Sequence, residues 1–172
     1  EKARRLDITE EVYFDIIVKK TASLIAASCA AGAASVTDDK EMIERFYKFG
    51  ETIGIAFQIK DDLFDYGDAD VGKPRAIDIA EKKMTLPLIY TLQNVDSSKR
   101  KDLIRTVEKY NKDKTKVREL IKQVHQSGGI RYAEQVMESY VQKALALVDE
   151  IPASAATTSM KDLIEFVIDR KT

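Results

Sequence analysis

Apolar residues recur three and four positions apart over long stretches with few turn residues between them, and this restricts the chain to helices. Seven Gly and three Pro punctuate 172 residues, too few for the turns of a many-stranded sheet. Asp7 followed by Glu10 has the spacing of a capping box and opens a predicted helix from about Ile8 to Ala31. Along it Val12, Tyr13, Phe14, Ile16, Ile17, Val18, Leu24 and Ile25 occupy nearly the whole circumference, the pattern of a helix in the middle of a bundle. Thr37 or Asp38 caps a second helix running to about Tyr66. That helix carries Gly50 and Gly54, which cost stability mid-helix and call for a packing or ligand reason. Periodicity fails from Gly67 to about Met84. Thr85-Leu86-Pro87 then starts a series of amphipathic helices at about 86–94, 97–110, 113–126, 129–149 and 156–170. No repeat, low-complexity tract or linker interrupts residues 1–172, so the expectation is one all-α domain, a helical bundle.

Bulk composition excludes several classes of function. Charged residues make up 33% and hydrophobic residues 44%, ordinary for a soluble globular chain. A net charge of −1 gives the whole-chain field no reason to attract nucleic acid or an anionic membrane. Basic residues are spread among acids without aromatic interleaving, so nucleic-acid binding is unsupported. The single cysteine, Cys29, sits in an Ala-rich run and reads as filler. With no possible internal disulfide, a reducing cytoplasm is the expected compartment. No apolar run reaches the ~20 residues that a transmembrane helix needs. The charged start at Glu1, without an initiator Met or a signal-type segment, is the start expected of a cut piece or a proteolysed chain.

Three groups of residues carry chemical meaning. The sharpest is Asp61-Asp62-Leu63-Phe64-Asp65, where Gln58, Asp61, Asp62 and Asp65 fall within roughly a 100° arc of one helix. Three carboxylates on one face repel one another, by ~0.2–0.5 kcal/mol for an exposed i,i+4 pair. They also meet the negative end of the helix dipole. A solvated acidic helix end is one reading. The other is a divalent-cation site, whose hard oxygen ligands suit Mg²⁺. Next is Lys20, with Tyr13, Ile16, Ile17 and Leu24 within about 60° of it on the helical wheel. It either pairs with an anion, such as a carboxylate or a bound phosphate, or snorkels to the surface. The last is the loop Gly67 to Lys83. Gly67 to Lys73 spells a P-loop pattern, but Pro74 stands where Ser or Thr should be, no strand precedes it, and Asp68 and Asp70 would repel phosphate. A lid carrying Lys73 and Lys83 toward a phosphate fits better than a P-loop; a solvated charged loop is the alternative. His125 reads as a surface residue near a helix end.

In this order the signals resemble a known family. Phe57-Gln58-Ile59-Lys60-Asp61-Asp62-Leu63-Phe64-Asp65 is similar to the second aspartate-rich motif of trans-polyprenyl diphosphate synthases. Gly72-Lys73-Pro74 through Asp78-Ile79 and Glu81-Lys82-Lys83-Met84-Thr85-Leu86-Pro87-Leu88-Ile89-Tyr90 resembles the segment directly C-terminal to that motif in the family. Lys20-Thr21 resembles the upstream KT motif, Ser127-Gly128-Gly129-Ile130-Arg131-Tyr132-Ala133 a later signature, and Phe166-Val167 through Arg170 the family's C-terminal end. The likeness covers nearly the entire chain and is closer to octaprenyl-type long-chain synthases than to farnesyl synthases.

The resemblance implies an isoprenoid-synthase-type bundle, present here as its C-terminal part, and prenyl chain elongation from allylic diphosphate and isopentenyl diphosphate. It implies Mg²⁺ held by Asp61, with Asp62 and Asp65 holding its waters or completing the shell. It implies that Lys20, Lys73 and Lys83 contact the allylic diphosphate, that Thr21 and Gln58 orient the reacting ends, and that Phe57 lines the prenyl cavity. A homodimeric full-length parent is implied as well. Gly54, on the aspartate stripe, is expected to leave space near the substrate.

Two departures qualify the likeness. No other DDxxD occurs in the 172 residues, because Asp38-Asp39 is followed by Ile43 at the fifth place. The family's first aspartate-rich motif and the groups that hold isopentenyl diphosphate are therefore expected upstream of Glu1. Ala76 stands where the family commonly has Gly, which bears on the movement of the loop. The expectation is a piece of a prenyltransferase that is inactive alone; a non-catalytic subunit partnering a complete synthase is the alternative.

Overall fold

The structure, a computed structural model, describes residues 9–67 and 76–170. Asp7 of the expected capping box and Gly72-Lys73-Pro74 lie outside the described residues. Every regular element among the described residues is helical. In chain order these are α1 (Glu10–Ile17), a π-helical turn (Val18–Ala22), α2 (Ser23–Ala34), α3 (Lys40–Phe64), α4 (Ile77–Ala80), α5 (Leu86–Asn94), α6 (Ser97–Lys109), α7 (Lys114–Gln126), α8 (Gly129–Asp149) and α9 (Ala155–Asp169).

Local chemistry sets most of these limits. Asp96, Asp113 and Ser154 cap α6, α7 and α9 by accepting backbone N–H bonds, and Ser154 forms a reciprocal capping box with Thr157. At α3 the cap is Asp39, whose carboxylate accepts from the amides of Glu41 and Met42, rather than Thr37 or Asp38. Pro87 lies in the first turn of α5, where its missing N–H costs nothing.

Two expectations about the N-terminal helix need correction. It is interrupted by the π turn at Val18–Ala22, and it continues to Ala34. A π turn inserts extra backbone and shifts every later side chain around the axis. The regular wheel therefore fails beyond Ile17, and Leu24 is 72% exposed. Glu10–Ala34 is long and apolar enough, by length and composition, to cross a bilayer, so the apolar stretch is longer than its pattern indicates. The helix carries Lys19 and Lys20 at its middle, and its small residues approach α3 closely. Of its residues Tyr13, Ile17, Ala22, Ala26 and Ala33 are buried and the others half-buried or exposed, so the helix is not covered all round as its apolar circumference predicts.

The chain divides into two compact units. The first contains residues 9–16, 61–67 and 76–135 of the described chain. Its buried side chains include Tyr13, Tyr66, Ile79, Leu86, Leu88, Leu120 and Val124, and α5, α6 and α7 pack on one another. Gly129 belongs to this packing. A Cβ there would lie 2.5 Å from the Pro87 carbonyl oxygen and 2.7 Å from Thr91 Oγ1. Gly128 has φ +83°, a conformation that L side chains disfavour. The Ser127-Gly128-Gly129 signature is thus a chain reversal that brings α8 against α5.

The second unit contains residues 17–60 and 136–170 of the described chain. Its core includes Phe49, Ile53, Ile59, Val141, Val148 and Ile164. Here the two mid-helix glycines of α3 have their explanation. A Cβ on Gly50 would meet Ala26 Cα at 2.7 Å, and one on Gly54 would meet Ala22 Cα at 2.7 Å. The expectation that Gly54 leaves room for a substrate gives way to a helix-packing role: α3 and the Ala22–Ala26 stretch approach so closely that only hydrogen fits. Gly50→Ala should therefore destabilise the chain by about 1–3 kcal/mol through overpacking, read from urea denaturation. An unchanged midpoint would contradict the close approach.

Candidate functional site

The last turn of α3 delivers the three aspartates to different surroundings within the first unit. Asp61 is half-buried, whereas Asp62 and Asp65 are 5% and 9% exposed. The helix tightens as it ends, with Asp65 N bonding to Asp62 O and Tyr66 N to Leu63 O, a three-residue spacing that turns the chain out of the helix. Buried carboxylates need donors, and each buried aspartate has one. Tyr13 on α1 donates its hydroxyl to Asp62 Oδ2 at 2.7 Å. The backbone amide of Asp78 donates to Asp65 Oδ2 at 2.6 Å.

These contacts couple the helix end to the following loop. Burial, then the nearby charge of Asp78, pushes the Asp65 carboxyl up to about 6, against the lowering effect of backbone N–H bonds. Asp78 in turn accepts from Lys83 Nζ at 2.8 Å, and Glu81 pairs with the same ammonium at 2.8 Å. Burial alone would lower the Lys83 ammonium, but bonds to Asp78 and Glu81 outweigh it and hold it well above its ordinary value. Burial, followed by the charge of Asp62, likewise keeps the Tyr13 hydroxyl protonated far above its usual range. Beneath this network Tyr66 and Thr85 share a 2.6 Å hydroxyl contact.

His125 has a partner that its sequence position does not reveal. Its Nε2 lies 3.0 Å from the Tyr66 carbonyl oxygen and so satisfies a backbone acceptor just beyond the end of α3. The segment expected to be wholly irregular contains the short helix α4. It starts from Ala76 at φ 61°, a left-handed conformation that favours glycine. The departure of Ala76 from the family's glycine therefore falls where a methyl group carries a conformational cost.

Among the described residues, no three His, Cys, Asp or Glu side chains converge as a ready-made metal cage. The donor set still suits Mg²⁺, which takes one or two protein carboxylates and keeps water and phosphate for its other positions. Asp65 in particular is biased toward its neutral form by burial and by Asp78, a balance that a nearby divalent cation would reverse.

The KT motif lies in the second unit. Lys20 and Thr21 both fall within the π turn, and π turns of this kind are frequent at functional sites. Thr21 Oγ1 donates to Gln58 Oε1 at 2.7 Å, so two residues expected to orient reacting groups are in direct contact. Lys20 is exposed, in line with the snorkelling alternative. Phe57 is half-buried, with the Arg170 guanidinium carbon 3.8 Å from its ring centroid and Arg170 Nη2 donating to the Phe57 carbonyl at 2.9 Å. Lys73 lies outside the described residues. Tyr13, Asp78 and Arg170 are additions to the expected site residues; Asp78 and Arg170 lie within the quoted motifs but carry no assigned role there. The signal available for Tyr13 is a tyrosine inside an apolar stripe, because a buried hydroxyl needs a partner.

Comparisons with known proteins cover nearly the whole chain. Residues 1–124 match the family model described as polyprenyl synthetase. A short chain isoprenyl diphosphate synthase of Methanothermobacter thermautotrophicus is 36% identical over 169 residues, covering 97% of this chain and 51% of that protein. Geranylgeranyl pyrophosphate synthase from Bacteroides thetaiotaomicron superposes with a TM-score of 0.89 at 37% identity, over 98% of this chain and 56% of that one. A polyprenyl synthase from Caulobacter crescentus, complexed with calcium and isoprenyl diphosphate, superposes with a TM-score of 0.91 at 29% identity, over 99% and 52%. The chain thus spans about half the length of the relatives it matches.

The Asp65 environment sets a pH dependence. An unfolded aspartate titrates at ~3.9, and burial pushes the folded one up to about 6. Between these values the folded chain holds a proton that the unfolded chain has released. The contribution to stability is full below about pH 4 and is lost as pH rises through about 6. In metal-free buffer, urea midpoints should fall between pH 4 and 7 more steeply for the native chain than for Asp65→Asn. Parallel profiles would contradict the assignment.

Proposed function

We propose a function from an established starting point: the chain belongs to the polyprenyl synthetase family. Its full-length parent is a trans-prenyltransferase that joins isopentenyl diphosphate to an allylic diphosphate. In that reaction the allylic C–O bond breaks with diphosphate as leaving group, the isopentenyl double bond supplies the electrons of the new C–C bond, and a proton is lost. The observation that carries the reading is the end of α3, where one half-buried and two buried aspartates stand in a row. Two of them are fixed by Tyr13 and by the Asp78 amide.

In this reading Asp61 would be the direct ligand of Mg²⁺, and Asp62 and Asp65 would hold its waters or complete its shell. What a bound divalent cation supplies is neutralisation of negative charge on the departing diphosphate. Lys83, poised by Asp78 and Glu81, exchanges part of that ion pairing for diphosphate oxygens. The family resemblance assigns Lys20 and Lys73 to diphosphate binding as well. Thr21 and Gln58 act through their mutual hydrogen bond to orient the reacting end, and Phe57 contributes apolar wall. The likeness of the motifs to octaprenyl-type synthases supports a long-chain type of parent. A second DDxxD is missing from the 172 residues, and the chain covers about half of its relatives. Both facts support the further proposal that this length of chain does not catalyse condensation by itself.

The test is Asp61→Ala in the full-length parent, assayed with labelled isopentenyl diphosphate and an allylic primer. Turnover should fall by about 10²-fold or more, the scale of losing a principal electrostatic contact in a transition state. The far-ultraviolet circular dichroism should stay unchanged. A parent variant with ordinary turnover would overturn the metal role of Asp61.

A further inference from the structure

The whole-chain charge of −1 conceals a strongly basic segment. Between Asp96 and Gln126, comprising α6, α7 and their connection, lie ten Lys and Arg against five carboxylates, a local balance of +5. All ten cations are exposed: Lys99, Arg100, Lys101, Arg105, Lys109, Lys112, Lys114, Lys116, Arg118 and Lys122. Two of the five carboxylates, Asp96 and Asp113, are engaged as helix caps by backbone amides. Among the described residues, the ion pair involving these cations is the loose one between Lys99 Nζ and Asp96 at 3.9 Å. The hairpin therefore displays positive charge that its own surface does not neutralise.

Its shape narrows the kind of partner. Lys99, Arg105 and Lys116, with Asp102 and Glu119 between them, border a groove of about 540 Å³ whose floor is Leu103 and Leu120 and whose wall includes Tyr110. Tyr110, 37% exposed at the end of α6, is an amphipathic ring of the kind that settles at lipid headgroups. The remaining cations are spread around both helices rather than focused on one spot. A diffuse display of this sort suits a fluid polyanionic surface better than a partner of fixed shape.

We infer that the α6–α7 hairpin is a docking surface for an anionic lipid bilayer. The choice of a bilayer over other polyanions rests on the proposed function, whose prenyl diphosphate product joins an apolar chain to a charged head, and on Tyr110 standing among the cations.

Vesicle sedimentation tests this without any turnover, so it stands or falls separately from the proposed chemistry. The 172-residue chain should sediment with phosphatidylglycerol vesicles at low salt, stay in solution with phosphatidylcholine vesicles, and be released as salt screens the contact. Near a charged membrane each cation is worth about a fivefold change in partitioning. The variant Lys99→Gln/Arg105→Gln/Lys116→Gln should thus partition about a hundredfold less, with an unchanged circular dichroism spectrum. A control neutralising Lys48, Lys143 and Lys161 should behave like the unaltered chain. The salt titration of the unaltered chain needs no substitution and guards against a misfolded variant. The inference is overturned by equal binding to both vesicle types, by no binding to either, by undiminished binding of the triple variant, or by tighter binding to duplex DNA than to vesicles of equal phosphate content.

Discussion

Keeping carboxylates charged and in place while they are withdrawn from water is the constraint on which the first unit depends. A buried carboxylate without donors reverts to its neutral form or drags the helix end outward. Here the phenol of Tyr13 reaches Asp62, and the amide at Asp78 reaches Asp65. Each bond joins segments far apart in sequence. Together they tie α1, the end of α3 and the α4 region into one polar cluster, roofed by the Lys83 ion pairs and floored by Tyr66 and Thr85. The compensation at Asp65 is incomplete, since burial and the charge of Asp78 still push its carboxyl up to about 6. That residual tension is what a divalent cation would relieve.

The second unit is built on a different constraint, the close approach of backbones. Gly50 and Gly54 let α3 lie against Ala26 and Ala22. The π turn carries Lys20 and Thr21 beside this contact, and Thr21 reaches Gln58. A regular helix would place residues 20 and 21 at different angles, so the π turn is what aims Thr21 at its partner.

Much of this architecture can be read from residues alone, and the exceptions have physical causes. The limits of α5 to α9 are legible because Pro87, Asp96, Asp113, Gly128 and Ser154 act on their own neighbours. The π turn is hidden because apolar residues surround the N-terminal helix almost completely, leaving no phase in which an insertion shows. α4 is hidden because it is a single turn started by an alanine with positive φ. The aspartate stripe is visible at helical spacing, but the separate fates of its members depend on Tyr13 and Asp78. No local pattern connects residues 49 and 13 positions apart. Gly54 shows how spacing can mislead: it shares a wheel sector with the aspartates, yet its neighbour is Ala22.

The central claim is that the end of α3 and the residues coupled to it receive a divalent cation together with diphosphate. Paramagnetic relaxation by Mn²⁺ measures this most directly, with amide resonances of the chain followed as Mn²⁺ is added in the presence of inorganic pyrophosphate. The account predicts saturable broadening centred on Asp61, Asp62 and Asp65, extending to Asp78 and Lys83, and reversed by excess Mg²⁺. Broadening centred on the scattered surface acids instead, with those five residues untouched, would contradict it.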